Sequence, residues 1–504
     1  MLAPAVAMVV GLAACSGGAA TGGGSQPQVL RVAHNTPPTS LDPALAATFG
    51  STFLNLVYES LLKRDDKGEV GPGLAKEWKL SADAKQLDLT LRDGVKFQDN
   101  APFNAEAVKA NLDAAPKRGG DIPNQLSLIE TVVVVDPTHV KITMKRPASD
   151  LLGILASEAG MMISPAALGS KDLGKKPVGT GPFLVDVFNQ TGITYKKWPG
   201  YWDAARVKLD RIEYLTGLDD PARLNALLTG QADLGTSMRT TQIAEADARG
   251  DQLKSSRATV AQINAIMLNT SRSKLANPAM RLAIQHAIDR KAIQNALFEG
   301  GCQPVAQPFP TTYWASDPAL EQSKDAAYDP DTARKLLQDA GLVGTPLKLY
   351  VGSTAVFQNM AAAVQQQLNA IGLKVSVEVL DAVALSKARA SGDFEASIAS
   401  VQSGRPDPAL FVRQFYLPGG IFNPGNTKYT GIDQALSDMN TTNDMAKRSE
   451  DMHQIDKAVL EQGPTVIPIC APDYVNIYKS NVKGVRIPVA MDFDLSTLYF
   501  DPPK

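Results

Sequence analysis

The chain has 504 residues, of which 44% are hydrophobic and 20% charged, and its formal net charge is −2 at pH 7. A chain of this length is typical of about two to four compact units, each with its own core. The near balance of acidic and basic residues argues against a nucleic-acid partner, because phosphate backbones attract strongly basic surfaces. Beyond the N-terminus, no apolar run reaches the roughly 18 residues that a transmembrane helix needs.

The first 28 residues have the pattern of an export signal followed by a tether. Residues 3–14 form an apolar stretch that is too short to span a membrane but has the length of a signal-peptide core. Small residues precede Cys15, as in the lipidation motif of bacterial lipoproteins, although no Lys or Arg precedes the apolar run. We expect residues 1–14 to be a signal peptide, Cys15 to be lipidated and residues 15–28 to form a flexible tether. The alternative is an apolar leader with an unmodified cysteine.

Strands and helices are predicted to alternate from Val29 onward, which indicates an α/β layer architecture. Period-two alternation and turn signals predict strands at residues 30–34, 86–91, 131–135, 140–144, 183–187 and 373–379. Apolar stripes predict helices at residues 53–62, from Pro278 onward, at 332–340 and at 356–370. Asn277 and Asp329 stand directly before prolines and are predicted to cap two of these helices.

No arrangement of residues in the sequence predicts catalysis, a metal or a cofactor. The histidines at positions 34, 139, 286 and 453 are far apart in sequence, and no pair of cysteines has the spacing of a zinc site. A GxSxG nucleophile motif is absent. Residues 179–182, Gly-Thr-Gly-Pro, lack the Lys of a phosphate loop and predict a tight turn. In an exported chain, Cys302 and Cys470 could form one disulfide, and two separately buried thiols are the alternative.

Several ordered segments carry motifs that are individually moderate and jointly strong. They are VYESLL at 57–62, GLAKEW at 73–78, LTLRDGVKF at 89–97, FNAEAV at 103–108, PVGTGPF at 177–183, YW at 201–202, RLAI at 281–284, AIDR at 287–290 and YDP at 328–330. Together they resemble family 5 of the ABC-importer solute-binding proteins, which includes binders of dipeptides, oligopeptides and nickel.

The resemblance implies a two-lobed periplasmic-binding-protein fold of class II, cluster C type, with an additional inserted domain. The expected boundaries are residues 29–62, 179–268 and 482–504 for lobe I, 63–178 for the inserted domain and 269–481 for lobe II. The ligand would lie between lobes that close by a hinge motion.

The implied protein is an extracytoplasmic, lipid-anchored and monomeric receptor. It would deliver a small solute to an ABC permease and its ATPase, and it would not be an enzyme. Two alternatives stay open: an accessory receptor that presents its ligand without transport, and an extracytoplasmic hydrolase.

The family's ligand site can be transferred to this chain only in part. In peptide-binding relatives, an acidic residue three positions before an acidic-Pro pair receives the ligand's amino group. Here the pair is Asp407-Pro408, and the corresponding position is Gly404. A buried amine without a counter-charge is costly, so a peptide ligand is in doubt and an anionic, amphipathic or sugar-like solute is the alternative. On this reasoning, Gly404→Asp should create some peptide affinity.

The remaining predictions for the site follow from position in the sequence. Arg405 is predicted either to bind an anionic ligand group or to be a solvated loop residue. A replacement carboxylate could come from Asp381, Asp393 or Glu395. The predicted ligand-binding residues are Phe49, Ser51, Met161, Met162, Gln402, Ser403, Gly404, Arg405 and Asp407. Core packing is the alternative role for both methionines, and helix capping is the alternative role for Asp407.

Overall fold

The computed structural model describes residues 26–45, 50–189 and 191–502. The strands are β1 Val29–Ala33, β2 Leu62–Arg64, β3 Val70–Pro72, β4 Ala75–Leu80, β5 Gln86–Leu91, β6 Ile129–Asp136, β7 His139–Met144, β8 Phe183–Asn189, β9 Gly192–Lys197, β10 Arg211–Leu215, β11 Leu234–Gly235, β12 Leu253–Thr259, β13 Ile263–Leu268, β14 Cys302–Pro304, β15 Pro346–Gly352, β16 Lys374–Leu380, β17 Ala396–Val401, β18 Val466–Lys479, β19 Val482–Lys483 and β20 Tyr499–Phe500.

The α-helices are α1 Ser51–Leu54, α2 Ala105–Ala114, α3 Ile122–Leu126, α4 Asp150–Leu155, α5 Asp220–Leu228, α6 Thr241–Asp247, α7 Ser273–Ala276, α8 Pro278–Ala287, α9 Arg290–Leu297, α10 Pro330–Asp339, α11 Ala355–Ala370, α12 Ala382–Ala390, α13 Pro408–Phe415, α14 Ile432–Met439 and α15 Met445–Glu461. Within the described ranges, no helix has both the length and the apolar character needed to cross a membrane. The predicted signal peptide, Cys15 and Phe49 lie outside these ranges.

A single mixed sheet runs through both lobes. Its order is β16-β15-β17-β13-β18-β11-β1-β10-β9-β8, and β12 and β14 also pair with β18. The first part of β18 pairs with β13 and β14 of lobe II, and residues 473–479 pair with β11 and β12 of lobe I. β18 is therefore a central strand of both lobes.

The inserted domain has its own sheet and its own core. The sheet is antiparallel, in the order β4-β5-β7-β6. Leu87, Leu89 and Leu91 of β5 point to one face and pack there with Val140 and Ile142 of β7. The lobes bury separate clusters of their own. The clusters also take in residues across the predicted boundaries, such as Leu61 in the core of the inserted domain and Val489 in a core of lobe II, so the domain boundaries stay predictions.

Strand pairing shifts the two predicted crossings between the lobes. β13 pairs with β17 of lobe II, so the chain leaves lobe I before Ile263 rather than at residue 268. The return occurs at Pro472, where β18 changes partners, rather than at residue 481. Motif positions mark the ends of family blocks, whereas backbone hydrogen bonds decide which part of the shared sheet a strand joins.

Most of the predicted elements are confirmed, and one is wrong. The hairpin β6–β7 is present, and Asn277 and Asp329 accept hydrogen bonds from the first turns of α8 and α10. The helix predicted at 53–62 is limited to α1 and is followed by turns. Nearly all apolar side chains of this segment are fully buried, so it packs on every side rather than along one stripe.

The four histidines and the two described cysteines have structural partners. His34 is buried and lies 2.6 Å from Thr236 Oγ1 through Nδ1, and burial, aided by the charge of Arg223, lowers its pKa to about 4. The ring nitrogens of the other three contact the backbone oxygens of Ala327 and Ser316 or the carboxylate of Asp136. Cys302 of β14 and Cys470 of β18 form a disulfide, with their Cα atoms 5.6 Å apart.

Candidate functional site

A cavity of about 450 Å³ lies between the inserted domain and lobe II. Its volume is within the usual range for small-molecule sites. The inserted-domain wall consists of Asp121, Gln125, Ser157 and Glu158. The lobe II wall consists of Met267, Arg389, Ala399, Ser400, Val401, Gln402, Arg405, Pro406, Leu410, Gln414, Phe415, Ile421 and Phe422. The cavity therefore combines an apolar surface with a few polar and charged groups.

Aromatic rings form the apolar part of this cavity. Phe411 and Phe415 lie one turn apart on α13 and stack with their ring centroids 4.5 Å apart. Phe422 stacks on the other side of Phe415 at 4.6 Å. Phe415 and Phe422 both border the cavity and offer a rigid surface to the apolar part of a solute.

Arg405 lies at the junction of three chain segments. Its Nη2 is 2.8 Å from Glu158 Oε2 of the inserted domain and 3.0 Å from Asp492 Oδ1 of the C-terminal segment. Its side chain is only 6% exposed, which excludes the interpretation as a solvated loop residue. An anionic ligand would have to compete with two carboxylates for this guanidinium.

Asp492 connects Arg405 to a second buried guanidinium. Asp492 Oδ2 lies 3.0 Å from Nη1 of Arg64, whose side chain is 1% exposed. The Arg64 guanidinium also donates to the carbonyl oxygens of Ala156, Gly153 and Pro406. The resulting network, Arg64–Asp492–Arg405–Glu158, links the inserted domain, the C-terminal segment and lobe II.

A second cavity, of about 420 Å³, shares Arg405 and Ser157 with the first. Its other walls come from lobe I and from both the beginning and the later part of the inserted domain, and Met161 belongs to that later part. Of the predicted ligand-binding residues, Gln402 and Arg405 border the first cavity and Met161 borders the second.

The other described residues from the prediction have structural surroundings. Ser51 is buried and its hydroxyl donates to the Met491 carbonyl oxygen at 3.1 Å. Met162 belongs to the core of the inserted domain, so core packing accounts for it. Ser403 is fully buried. Asp407 caps α13 and contacts Arg448 Nη2 through both carboxylate oxygens, at 2.8 and 2.9 Å, which agrees with the structural alternative.

Gly404 faces the interior of lobe II. Its N–H donates to the Ala261 carbonyl oxygen at 3.2 Å, and its carbonyl oxygen accepts from the Tyr313 hydroxyl at 3.0 Å. A Cβ atom at this position would lie 2.5 Å from the Ala261 Cβ. An aspartate at position 404 would therefore require Ala261 or the backbone to shift, and the packing gives no support to the expectation that Gly404→Asp supplies an amine site.

The three carboxylates suggested as replacements also have other roles. Asp381 caps α12 through the N–H groups of Val383 and Ala384. Asp393 pairs with Arg272 at 3.2 Å, and Glu395 pairs with Lys274 at 2.8 Å. These three residues are not among those that border the first cavity within the described ranges.

Two charged residues of the cavity were missed by sequence reasoning. Arg389, on α12, donates to Ser397 Oγ at 2.9 Å and to the Ile398 carbonyl oxygen at 2.5 Å, and no described carboxylate lies within 4.0 Å of it. Burial lowers the pKa of Arg389 to about 10, still well above neutrality. The carboxylate of Asp121, directly before α3, accepts hydrogen bonds from the side-chain amides of Asn124, Gln125 and Gln414. In sequence, both look like ordinary surface charges. Over the described residues, no group of three or more His, Cys, Asp or Glu could hold a metal ion.

Two α/β lobes joined through a shared strand, with a cavity where the bodies meet, define the class of two-lobed periplasmic binding proteins. Two solved structures match this fold with TM-scores of 0.81, each at 24% identity, over 94% of this chain and 98% of the other. One is AgaA from A. tumefaciens R10 in complex with agropinic acid, and the other is DppA from Helicobacter pylori in complex with the peptide STSA.

The sequence model of bacterial extracellular solute-binding proteins, family 5 Middle, matches residues 69–423, and the chain belongs to this family. It is 32% identical over 471 residues to the glutathione-binding protein GsiB of Escherichia coli O1:K1 / APEC. That alignment covers 89% of this chain and 90% of GsiB. The chain is thus a solute-binding receptor of the kind that serves ABC importers, and its relatives are binding proteins rather than enzymes.

Proposed function

We propose that this receptor captures a small carboxylate-bearing solute, such as a short peptide or glutathione, in the 450 Å³ cavity and delivers it to an ABC permease. The observation that carries the proposal is Arg389, a guanidinium on the cavity wall with no described carboxylate within 4.0 Å. Arg389 is half-buried, so its charge is partly withdrawn from water, and a ligand carboxylate would supply the missing counter-charge. The name of GsiB mentions glutathione and that of the DppA complex mentions a peptide. Both names support a carboxylate-bearing ligand.

Capture would depend on closure of lobe II against the rest of the molecule. Several contacts across this interface support a closed arrangement of the bodies. Ser149 of the inserted domain donates through its N–H to the Asn440 carbonyl oxygen and through its hydroxyl to the Met439 carbonyl oxygen. A solute that touches both walls would favour this arrangement by its differential affinity for the closed state.

The test is calorimetric titration of the full chain with reduced glutathione, the dipeptide Met-Leu and the peptide STSA. At least one should bind with a micromolar or lower Kd, and Arg389→Gln should weaken that binding about 10- to 100-fold, as expected for a lost charge-assisted hydrogen bond. Arg334→Gln is the matched control, because Arg334 is an exposed arginine on α10 of the same lobe. An unchanged Kd in Arg389→Gln, or no binding of any carboxylate-bearing solute, would contradict the proposal.

The proposal includes a lipid anchor at Cys15. It is supported by the apolar residues 3–14, the small residues before Cys15 and the Gly- and Ser-rich segment that follows. In a bacterial host, the wild-type chain should fractionate with membranes, and Cys15→Ser should release it into the soluble fraction. Equal membrane association of the two chains would rule the anchor out.

A further inference from the structure

Asp121 is a second charged group of the 450 Å³ cavity that has no ion-pair partner within 4.0 Å among the described residues. It is half-buried and also borders a neighbouring groove of about 520 Å³ between the inserted domain and lobe II. Its carboxylate accepts hydrogen bonds from the amides of Asn124 at 3.0 Å, Gln125 at 3.1 Å and Gln414 at 3.3 Å. These amides fix the orientation of the carboxylate but bring no positive charge.

The cations that border the same groove as Asp121 contact other groups, although Nη1 of Arg413 is buried without a hydrogen-bond partner. Arg413 and Arg146 both pair with the buried carboxylate of Asp150. Lys145 donates to the Ser127 carbonyl oxygen at 2.6 Å. In the described part of the chain, no Lys, Arg or His nitrogen lies within 4.0 Å of Asp121.

Glu158, the other carboxylate of the cavity, differs from Asp121 in this respect. It lies 2.8 Å from Arg405, so its charge is already balanced. Asp121 is therefore the carboxylate of the cavity that is available to a cationic ligand group.

We infer that Asp121 receives the protonated amino group of the ligand, in place of the carboxylate that Gly404 cannot provide. The inference rests on the proposed function and narrows its ligand class to zwitterionic solutes, namely α-amino acids or short peptides with a free amine. In such a solute the ammonium group contacts Asp121 of the inserted domain, and the carboxylate contacts Arg389 of lobe II. The side-chain amide of Gln414, in lobe II, also donates to the Asp121 carboxylate. A ligand amine bound to Asp121 would therefore lie at the interface between the inserted domain and lobe II.

The test compares free-amine and N-acetylated forms of the same solutes. The full chain and Asp121→Asn are titrated with Met-Leu, reduced glutathione and the N-acetyl form of each. The wild type should prefer the free amine by at least about 10-fold. Asp121→Asn should lose about 10- to 100-fold of its affinity for the free-amine form, while its affinity for the N-acetyl form stays unchanged.

Two further variants separate a role in charge recognition from a role in folding. Asp121→Glu keeps the negative charge and should keep part of the preference for the free amine. Asp113→Asn is the matched control, because it removes an exposed carboxylate from α2 of the same domain, and it should change neither affinity. The preference for the free amine over the N-acetyl form is the deciding readout, since a merely destabilised variant would lose both affinities together.

The outcomes distinguish this inference from the proposed function. If the wild type binds N-acetyl solutes as tightly as free amines, and Arg389→Gln still weakens binding, the role of Asp121 is overturned and the proposed function stands. A preference for the free amine that is unchanged in Asp121→Asn also overturns it. If the protein binds neither form of either solute and does not bind the peptide STSA, the proposed function fails, and the inference fails with it.

Discussion

Loss of the Cys302–Cys470 disulfide should lower the free energy of unfolding by up to about 5 kcal/mol. The two cysteines are 168 residues apart in sequence, and in the chain-entropy model a crosslink that closes so long a loop strongly restricts the unfolded chain. The variant to use is Cys302→Ala with Cys470→Ala, because both residues are fully buried and serine would add buried hydroxyls. Urea unfolding of the oxidised wild type and the double variant measures the difference.

Wild-type protein unfolded in the presence of a reductant is the control for the packing change that the alanines introduce. It should lose a comparable amount of stability without any mutation. Two reactive thiols in unreduced, denatured protein that lacks Cys15 would show that the disulfide does not form in solution.

Replacement of Asp492 by Asn should cost about 3 kcal/mol or more and loosen the closed arrangement. The change leaves the guanidiniums of Arg64 and Arg405, both nearly inaccessible, without the carboxylate that lies between them. Removing one partner from a buried ion pair typically costs about 3–5 kcal/mol, because the remaining charge stays buried. Urea unfolding gives the stability, and X-ray scattering of ligand-free protein should show a larger radius of gyration.

Asp66→Asn is the matched control for this prediction. Asp66 pairs with Arg486 at 3.2 Å, but both side chains are about half exposed, so the loss should be below about 1 kcal/mol. Equal losses for the two variants would contradict the role assigned to Asp492.

The sequence predicted the elements whose signals are local. The hairpin β6–β7 has two alternating strands around a turn, and α8 and α10 each begin at an Asx-Pro pair whose first side chain caps the helix. The segment from Phe53 to Leu62 has the apolar spacing of a helix, but only its first residues are helical and turns follow. Because its apolar side chains are buried on all sides, their spacing does not identify the secondary structure.

The candidate site was less predictable, because its residues come together only in the folded chain. Gln402 and Arg405 were found because they lie in the family motif around Asp407-Pro408. Asp121 and Arg389 lie in segments that carry no recognised motif. The sequence around each residue does not show that it has no ion-pair partner within 4.0 Å among the described residues of the folded chain. The motif also placed Gly404 in the site, but the backbone there turns its Cα toward Ala261 and Tyr313.

The position of β18 has a consequence for the order in which the molecule assembles. Val466–Lys479 supplies a central strand to both lobes, yet it follows every other described strand of the large sheet in sequence. Until that segment has been synthesised, β13 and β11 each lack a neighbour, and neither lobe can complete its sheet. Whereas many multidomain proteins fold one domain at a time from the N-terminus, this chain has to postpone the completion of both lobes until the last strand of their shared sheet has emerged. A truncation before residue 466 should therefore disrupt both lobes rather than one.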